Sequence, residues 1–210
     1  MNKIPAFTIP LYEFTCDEQL TNTLVEMAKQ GEYKPNASNK TSQQRLKYKP
    51  LIDWFEQCLQ EVNKDLNDET SFDIKVTDCW LNKSSYTEKH HMHSHANSLY
   101  SGILYLTSHD KKSTTKLFFP NPFHNIEFTN LFVMKESALT SKKALVAEIT
   151  PIAGKLVIFP SQIQHETTTN ITRDNRYTIA FNSFVSGVIG VQDNLTRLHI
   201  TTHFLDDDTI

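Results

Sequence analysis

Three cysteines in 210 residues, Cys16, Cys58 and Cys79, are too few and too widely spaced for a disulfide framework, and no CxxC offers a thiolate zinc site. They are expected as reduced, half-buried thiols. The sequence also lacks an apolar run long enough to span a bilayer, so no membrane segment is expected. The N-terminal MNKIPAFTIPLYEF has neither a continuous hydrophobic stretch nor a small-residue cleavage site, and the expectation is a cytoplasmic chain without a signal peptide. Positive charge is not in excess: the formal net charge is -3, which argues against a non-specific nucleic-acid binder, whose affinity comes from neutralising phosphates. There is no internal repeat and no low-complexity segment. What is left is an ordinary globular composition, 39% hydrophobic and 21% charged, at a length that suits one domain with a substantial core.

The first third reads as a strand and two helices. Pro10 to Phe14 is a short apolar and aromatic run. Thr15 with Glu18 fits a capping box opening a helix through Leu20, Leu24 and Met27, which Gly31 ends. Residues 31–47 (GEYKPNASNKTSQQRLK) are polar and are expected as a loop, a candidate mobile lid. Pro50, at a first helical position, introduces Leu51, Trp54, Phe55, Cys58, Leu59, Val62 and Leu66 at spacings of three and four, the stripe of a helix packed on a sheet. From Phe72 onward FDIKVTDCWLN, LYSGILYLT, TKLFFP, LVAEIT, GKLVIFP and RYTIAFNSFV are strand-like, and no βαβ alternation supports a parallel sheet. The expected fold is mainly β with flanking α. It is a double-stranded β-helix (jelly roll) over 72–185, with helical N-terminal support over 1–70 and a tail over 186–210. In the tail LTRLHITTHF alternates weakly, as an edge strand or an oligomer contact would, and a homodimer is one expected assembly.

Four of the nine histidines fall at positions 90, 91, 93 and 95. Alternate residues of an extended chain share a face, so a ligand pair is His91 with His93 or His93 with His95, and periodicity does not choose. Imidazole suits Fe, Zn, Cu or Ni, although an isolated HxH is as readily a polar turn that binds only water. His165 follows the apolar strand LVIFP and, taken alone, reads as a satisfied or exposed histidine. Arg176 shares a strand face with the small Thr178 and Ala180, while Tyr177, Ile179 and Phe181 take the other. Its planar fork matches a carboxylate at two points, and the small neighbours leave room for a ligand. Arg173 fits a surface charge at a turn better. Tyr105 has the parity of Ser101 and Ile103 and reads either as a hydroxyl reaching the same anion or as a core aromatic of LYL.

Trp80 with Asn82, then HSHANSLYSGILYL, GKLVIFPSQIQHE and RYTIAFN, together resemble the 2-oxoglutarate and Fe(II)-dependent oxygenase superfamily. The group they resemble most is that of bacteria and tailed phages with the pattern W.N, HxHP, SGVYYL, G.LV.FPS...H and R...FN. By this resemblance His93, His95 and His165 are the metal ligands at the catalytic centre, Arg176 binds the C5 carboxylate of 2-oxoglutarate, and Tyr105 and Asn82 assist in binding it. It implies Fe(II), 2-oxoglutarate and O2, with decarboxylation to succinate and CO2 coupled to hydroxylation of a second substrate. Related prolyl hydroxylases suggest a peptide or protein side chain. If a phage encodes the chain, the compartment implied is the host cytoplasm. Two departures stand out: the usual HxD or HxE is here completed by His95, a neutral ligand that leaves the iron more positive, and the proline of HxHP is Ala96.

Other readings fit less well. A cupin-like metal dioxygenase needs Glu four or five residues beyond the second His, where Leu99 and Tyr100 stand, and leaves Arg176 unexplained. An HxHxDH zinc hydrolase needs an Asp-His pair, where the two registers offer Asn97 and Ser98 or His95 and Ala96. From a different class, a non-catalytic jelly-roll binding or virion-associated protein would not depend on His165.

Overall fold

Residues 9–42, 45–66, 72–109, 113–118, 146–190 and 197–204 are described by a computed structural model. Their order is β1 (Tyr12–Thr15), α1 (Glu18–Gln30), β2 (Lys34–Asn36), β3 (Asn39–Thr41), α2 (Lys49–Leu66), β4 (Phe72–Ser84), β5 (Tyr100–Tyr105) and β6 (Thr115–Phe118). There follow β7 (Val146–Ile149), β8 (Lys155–Pro160), β9 (Gln164–Thr167), β10 (Arg176–Ile189) and β11 (Leu198–Ile200). The larger sheet runs β1-β8-β5-β10-β4-β3-β2, with β11 on the C-terminal end of β10, and a smaller sheet runs β7-β6-β9. Neighbours in both sheets are antiparallel. This is the expected jelly roll.

Two hydrophobic clusters separate the layers. Leu51, Phe55, Cys58, Leu59 and Val62 of α2, with Leu24 and Ala28 of α1, bury against Ile74, Val76, Cys79 and Leu81 of β4 and Ile179 and Phe181 of β10. From Leu51 to Val62 the stripe of α2 therefore packs as its spacing predicts, while the Leu66 side chain lies outside the described residues. Between the sheets lies a smaller cluster of Tyr105, Leu117, Val157, Phe159 and Ile163. The pairing of β10 with β4 passes from Asn182↔Asp78 to Ser183↔Val76, so Thr77 is an extra residue, a β-bulge. One inserted residue exchanges the faces of a strand. Before it Ile74 and Val76 face the helices; after it Cys79 and Leu81 do, which leaves Trp80, Asn82 and Ser84 on the face toward the site.

Gly102 is required by close approach. A Cβ there would lie 2.2 Å from the Phe181 ring, which is itself 4.5 Å, centroid to centroid, from Phe55. Gly102→Ala is expected to destabilise the protein by about 1–3 kcal/mol through overpacking. A urea midpoint equal to that of the wild type would contradict this.

Several expectations are corrected. Asp17, not Thr15, caps α1: its Oδ1 accepts from the Leu20 N–H at 2.8 Å, while Thr15 ends β1. Residues 31–47 are not a continuous loop, because β2 and β3 form a hairpin that pairs with β4 through Lys40↔Lys83 and Thr41↔Asn82. Gln43 and Gln44 of that segment lie outside the described residues. The three free cysteines are buried rather than half-buried. β9 was not anticipated, since QHET is too short and polar to show a period. β11 agrees with the expected edge strand, while 191–196 and 205–210 lie outside the described residues, as do Phe119 and Pro120 of TKLFFP and Leu145 of LVAEIT. Among the described residues no helix is long and apolar enough to cross a membrane.

Candidate metal and anion site

The histidine-rich segment is held against β9 by backbone hydrogen bonds. His93 N–H donates to the His165 carbonyl at 3.0 Å and His165 N–H to the His93 carbonyl at 2.9 Å; farther along, His95 N–H donates to Ser161 O at 3.0 Å. This pairing brings the imidazoles together. Ring centroids are 4.2 Å apart for His93 and His165, 5.0 Å for His93 and His95, and 5.1 Å for His95 and His165. One ring nitrogen from each of the three lies within 4.8 Å of the others. A second set, His90, His91 and His93, meets the same distance condition, so the ambiguity of pairing in the sequence persists in space.

The tautomers follow from the partners. His93 Nδ1 is 2.8 Å from the His91 carbonyl and His165 Nδ1 is 3.0 Å from the Ile163 carbonyl. A carbonyl can only accept, so each Nδ1 carries the proton and each Nε2 keeps its lone pair for a ligand. Burial, reinforced by neighbouring imidazoles, pushes His165 down to about 3 and His95 to about 4. His90 is pushed down to about 3 in the same way, and burial lowers His93 too. These rings are neutral near pH 7, the state in which a histidine ligates a metal.

A pH dependence follows. As the pH falls below 6.5, the unfolded chain takes up protons that the folded rings refuse until about 4 or 3. Stability of the metal-free protein is therefore full above that window and is lost as the pH drops through it, by roughly 1 kcal/mol per pH unit for the buried His165 alone. Thermal melts across this window check the expectation. A melting temperature that does not fall on acidification would contradict it.

Arg176 opens β10 opposite Ser84 and is 3% exposed. Its Nη1 donates to Ser113 Oγ at 3.1 Å and to the Thr168 carbonyl at 3.2 Å, and its Nη2 donates to Thr167 Oγ1 at 2.7 Å. Ser84 Oγ is at 3.5 Å. Among the described residues no carboxylate forms an ion pair with this guanidinium. Burial lowers it to about 10, against a small opposing effect of Tyr105. The site thus contains a buried cation held by neutral oxygens, a costly arrangement that an anion would relieve.

Strand register places the remaining residues. Thr178 lies opposite Asn82 on one side and Tyr105 on the other. Arg176, Thr178 and Ala180 line a narrow chamber with Asn82 and the three histidines, which is the face expected of β10. Asn82 is buried and its Oδ1 has no hydrogen-bond partner among the described residues. Tyr105 stands farther back, in the cluster between the sheets, and its hydroxyl donates to Thr115 Oγ1 at 2.7 Å; Thr115, not Tyr105, lines the chamber. The chamber adjoins an open cleft of about 500 Å³ bordered by Asn36, Thr41, Arg45, Asp78, Trp80 and Asn182. Thr167 and Ser113, which hold Arg176, were not singled out in the sequence. A hydroxyl two residues beyond His165 on the same strand was the available signal for Thr167.

Comparison with known proteins gives the family and the fold. The family model described as "Putative 2OG-Fe(II) oxygenase" matches residues 78–182. No curated protein matches the chain by sequence. Among solved structures, a prolyl-4-hydroxylase of Pseudomonas putida is similar with a TM-score of 0.58 at 14% identity, over 83% of this chain and 93% of that one. HygX from Streptomyces hygroscopicus, with nickel, 2-oxoglutarate and hygromycin B bound, is similar with a TM-score of 0.57 at 9% identity, over 84% of this chain and 83% of that one. The alpha-ketoglutarate-dependent epimerase SnoN from nogalamycin biosynthesis has a TM-score of 0.58 at 8% identity, over 84% of this chain and 76% of that one. At such identities the structural likeness is one of fold. The family match spans half of the sequence and includes the histidine cluster and Arg176, and the chain belongs to the 2OG-Fe(II) oxygenase family.

Proposed function

We propose that the protein is a non-haem Fe(II) dioxygenase that couples oxidative decarboxylation of 2-oxoglutarate to hydroxylation of a peptide or protein side chain. The observation that carries this reading is the buried Arg176 without a carboxylate partner among the described residues, in the same chamber as three converging imidazoles. The donor set fits a divalent transition metal, since His93, His95 and His165 offer neutral nitrogens close together. Arg176 fits one carboxylate of a dicarboxylate, the fork replacing part of its hydroxyl contacts with a charged partner. When bound, Fe(II) supplies the activation of O2 that the side chains cannot.

In this reading His93, His95 and His165 hold the metal, Arg176 and Asn82 orient 2-oxoglutarate, and Tyr105 keeps Thr115 in place on the chamber wall. The described cavity is about 30 Å³, room for only a few waters, so side chains on its wall move when the co-substrate enters. Closure around it then excludes water. The whole chain is read as one domain, the helices supporting the sheet behind the site through a shared hydrophobic cluster. The open cleft beside the histidines supports an extended substrate, and the similarity to a prolyl-4-hydroxylase favours a peptide.

The test is succinate formation by the full chain with Fe(II), 2-oxoglutarate and O2, with and without a pool of unstructured peptides. The expected result is succinate production stimulated by peptide, together with a peptide that gains one oxygen atom. Stimulation by small molecules alone would overturn the peptide assignment. No Fe(II)-dependent succinate under any condition would overturn the dioxygenase.

A further inference from the structure

His90 and His91 are not among the metal ligands of the site proposed above, yet with His93 they form a second set of three imidazoles. One nitrogen from each lies within 4.8 Å of the others. Ring centroids are separated by 4.3 Å for His90 and His93, 5.1 Å for His90 and His91, and 5.3 Å for His91 and His93. All three line the open cleft, and His90 and His93 also line the inner chamber, so the set stands where one space opens into the other. Its backbone is fixed: His90 N–H donates to Thr167 Oγ1 at 2.7 Å, and the His90 carbonyl accepts from Thr167 N–H at 3.1 Å. Among the described residues neither the His90 nor the His91 ring has a hydrogen bond, so neither must give one up to bind an ion.

We propose that His90, His91 and His93 form a second transition-metal site at the mouth of the chamber, one that competes with the inner set for His93. Three imidazoles without a carboxylate suit Ni2+, Cu2+ or Zn2+, which stand above Fe2+ in the usual order of affinity for nitrogen ligands. Competition follows from the tautomer of His93. Its Nδ1–H donates to the His91 carbonyl, so one lone pair, on Nε2, is available, and one lone pair serves one ion. An ion at the mouth therefore takes away a ligand from the inner set, and filling the inner set dismantles the outer one. The inference takes the inner set from the proposed function, but the outer site is measurable without it.

Calorimetric titration of the untagged full chain with Ni2+ alone provides the test. Wild type is expected to bind one ion. His165→Ala and His95→Ala, each of which breaks the inner set, are expected still to bind one ion, more weakly. Adding His91→Ala to either is expected to weaken binding by about tenfold or more, the scale of losing a ligand or its support. His91 is exposed, and circular dichroism on each variant identifies any that has not folded. Two ions on wild type would overturn the sharing of His93. Wild type that binds Ni2+ while both folded inner variants do not would overturn the outer site and leave the dioxygenase reading standing. An affinity that does not change on adding His91→Ala would also overturn the outer site. Inner variants that bind as tightly as wild type and lose that affinity with His91→Ala would support the outer site and contradict the inner set.

Discussion

Arg176→Gln is expected to raise the dissociation constant for 2-oxoglutarate by about 30-fold to 4000-fold, because losing one partner of a buried charge pair costs roughly 2–5 kcal/mol. The substitution also separates two roles. If Arg176 served only to tie β10 to Ser113 and Thr167, its loss would mainly lower the stability of the ligand-free protein. As an anion partner left without its anion, it carries a desolvation cost that glutamine does not, so the ligand-free variant is expected to melt close to wild type. Arg176→Lys should fall between, keeping the charge and losing the two-point fork. Binding of 2-oxoglutarate by calorimetry, with a melt of each ligand-free variant, checks the set. Wild-type affinity in Arg176→Gln would contradict the role.

His165→Ala is expected to reduce Fe(II)-dependent succinate formation by more than about 100-fold, since removing only a supporting residue of a metal ligand already costs about 10-fold to 100-fold. His165 is the buried member of the triad, at 4% exposure, and the antiparallel bridge to His93 fixes its position through the backbone, which alanine retains. The variant should therefore fold, with a small cavity beside Phe159, whose ring centroid is 4.9 Å from that of His165. Steady-state assays at saturating Fe(II) make the measurement. Activity within a few-fold of wild type would remove His165 from the catalytic centre.

What was legible in the sequence is what repeats. The stripe of α2 and the alternation of β10 are periodic, and both predict the buried face correctly, including the small residues beside Arg176. Single events were not legible. Thr77 looks like any strand residue, yet as a bulge it decides that Trp80 and Asn82 face the chamber. β2, β3 and β9 are three or four residues long and gain their conformation from pairing with neighbours distant in sequence. Asp17 and Thr15 are both capable caps, and where β1 ends determines which is used. The histidines were visible as a cluster, but the pairing of His93 with His165 belongs to tertiary structure, and even with it two triads share His93. Tyr105 had the parity for the site and the size for the core; its ring went to the core and its hydroxyl to Thr115.

The most direct test of the central claim is an anaerobic titration of the full chain with Fe(II) and then 2-oxoglutarate, read by visible absorption. A weak metal-to-ligand charge-transfer band that grows with 2-oxoglutarate and is lost in both His165→Ala and Arg176→Gln is the result expected of a chelated keto acid held between the three histidines and the guanidinium. Fe(II) binding without such a band would contradict the account.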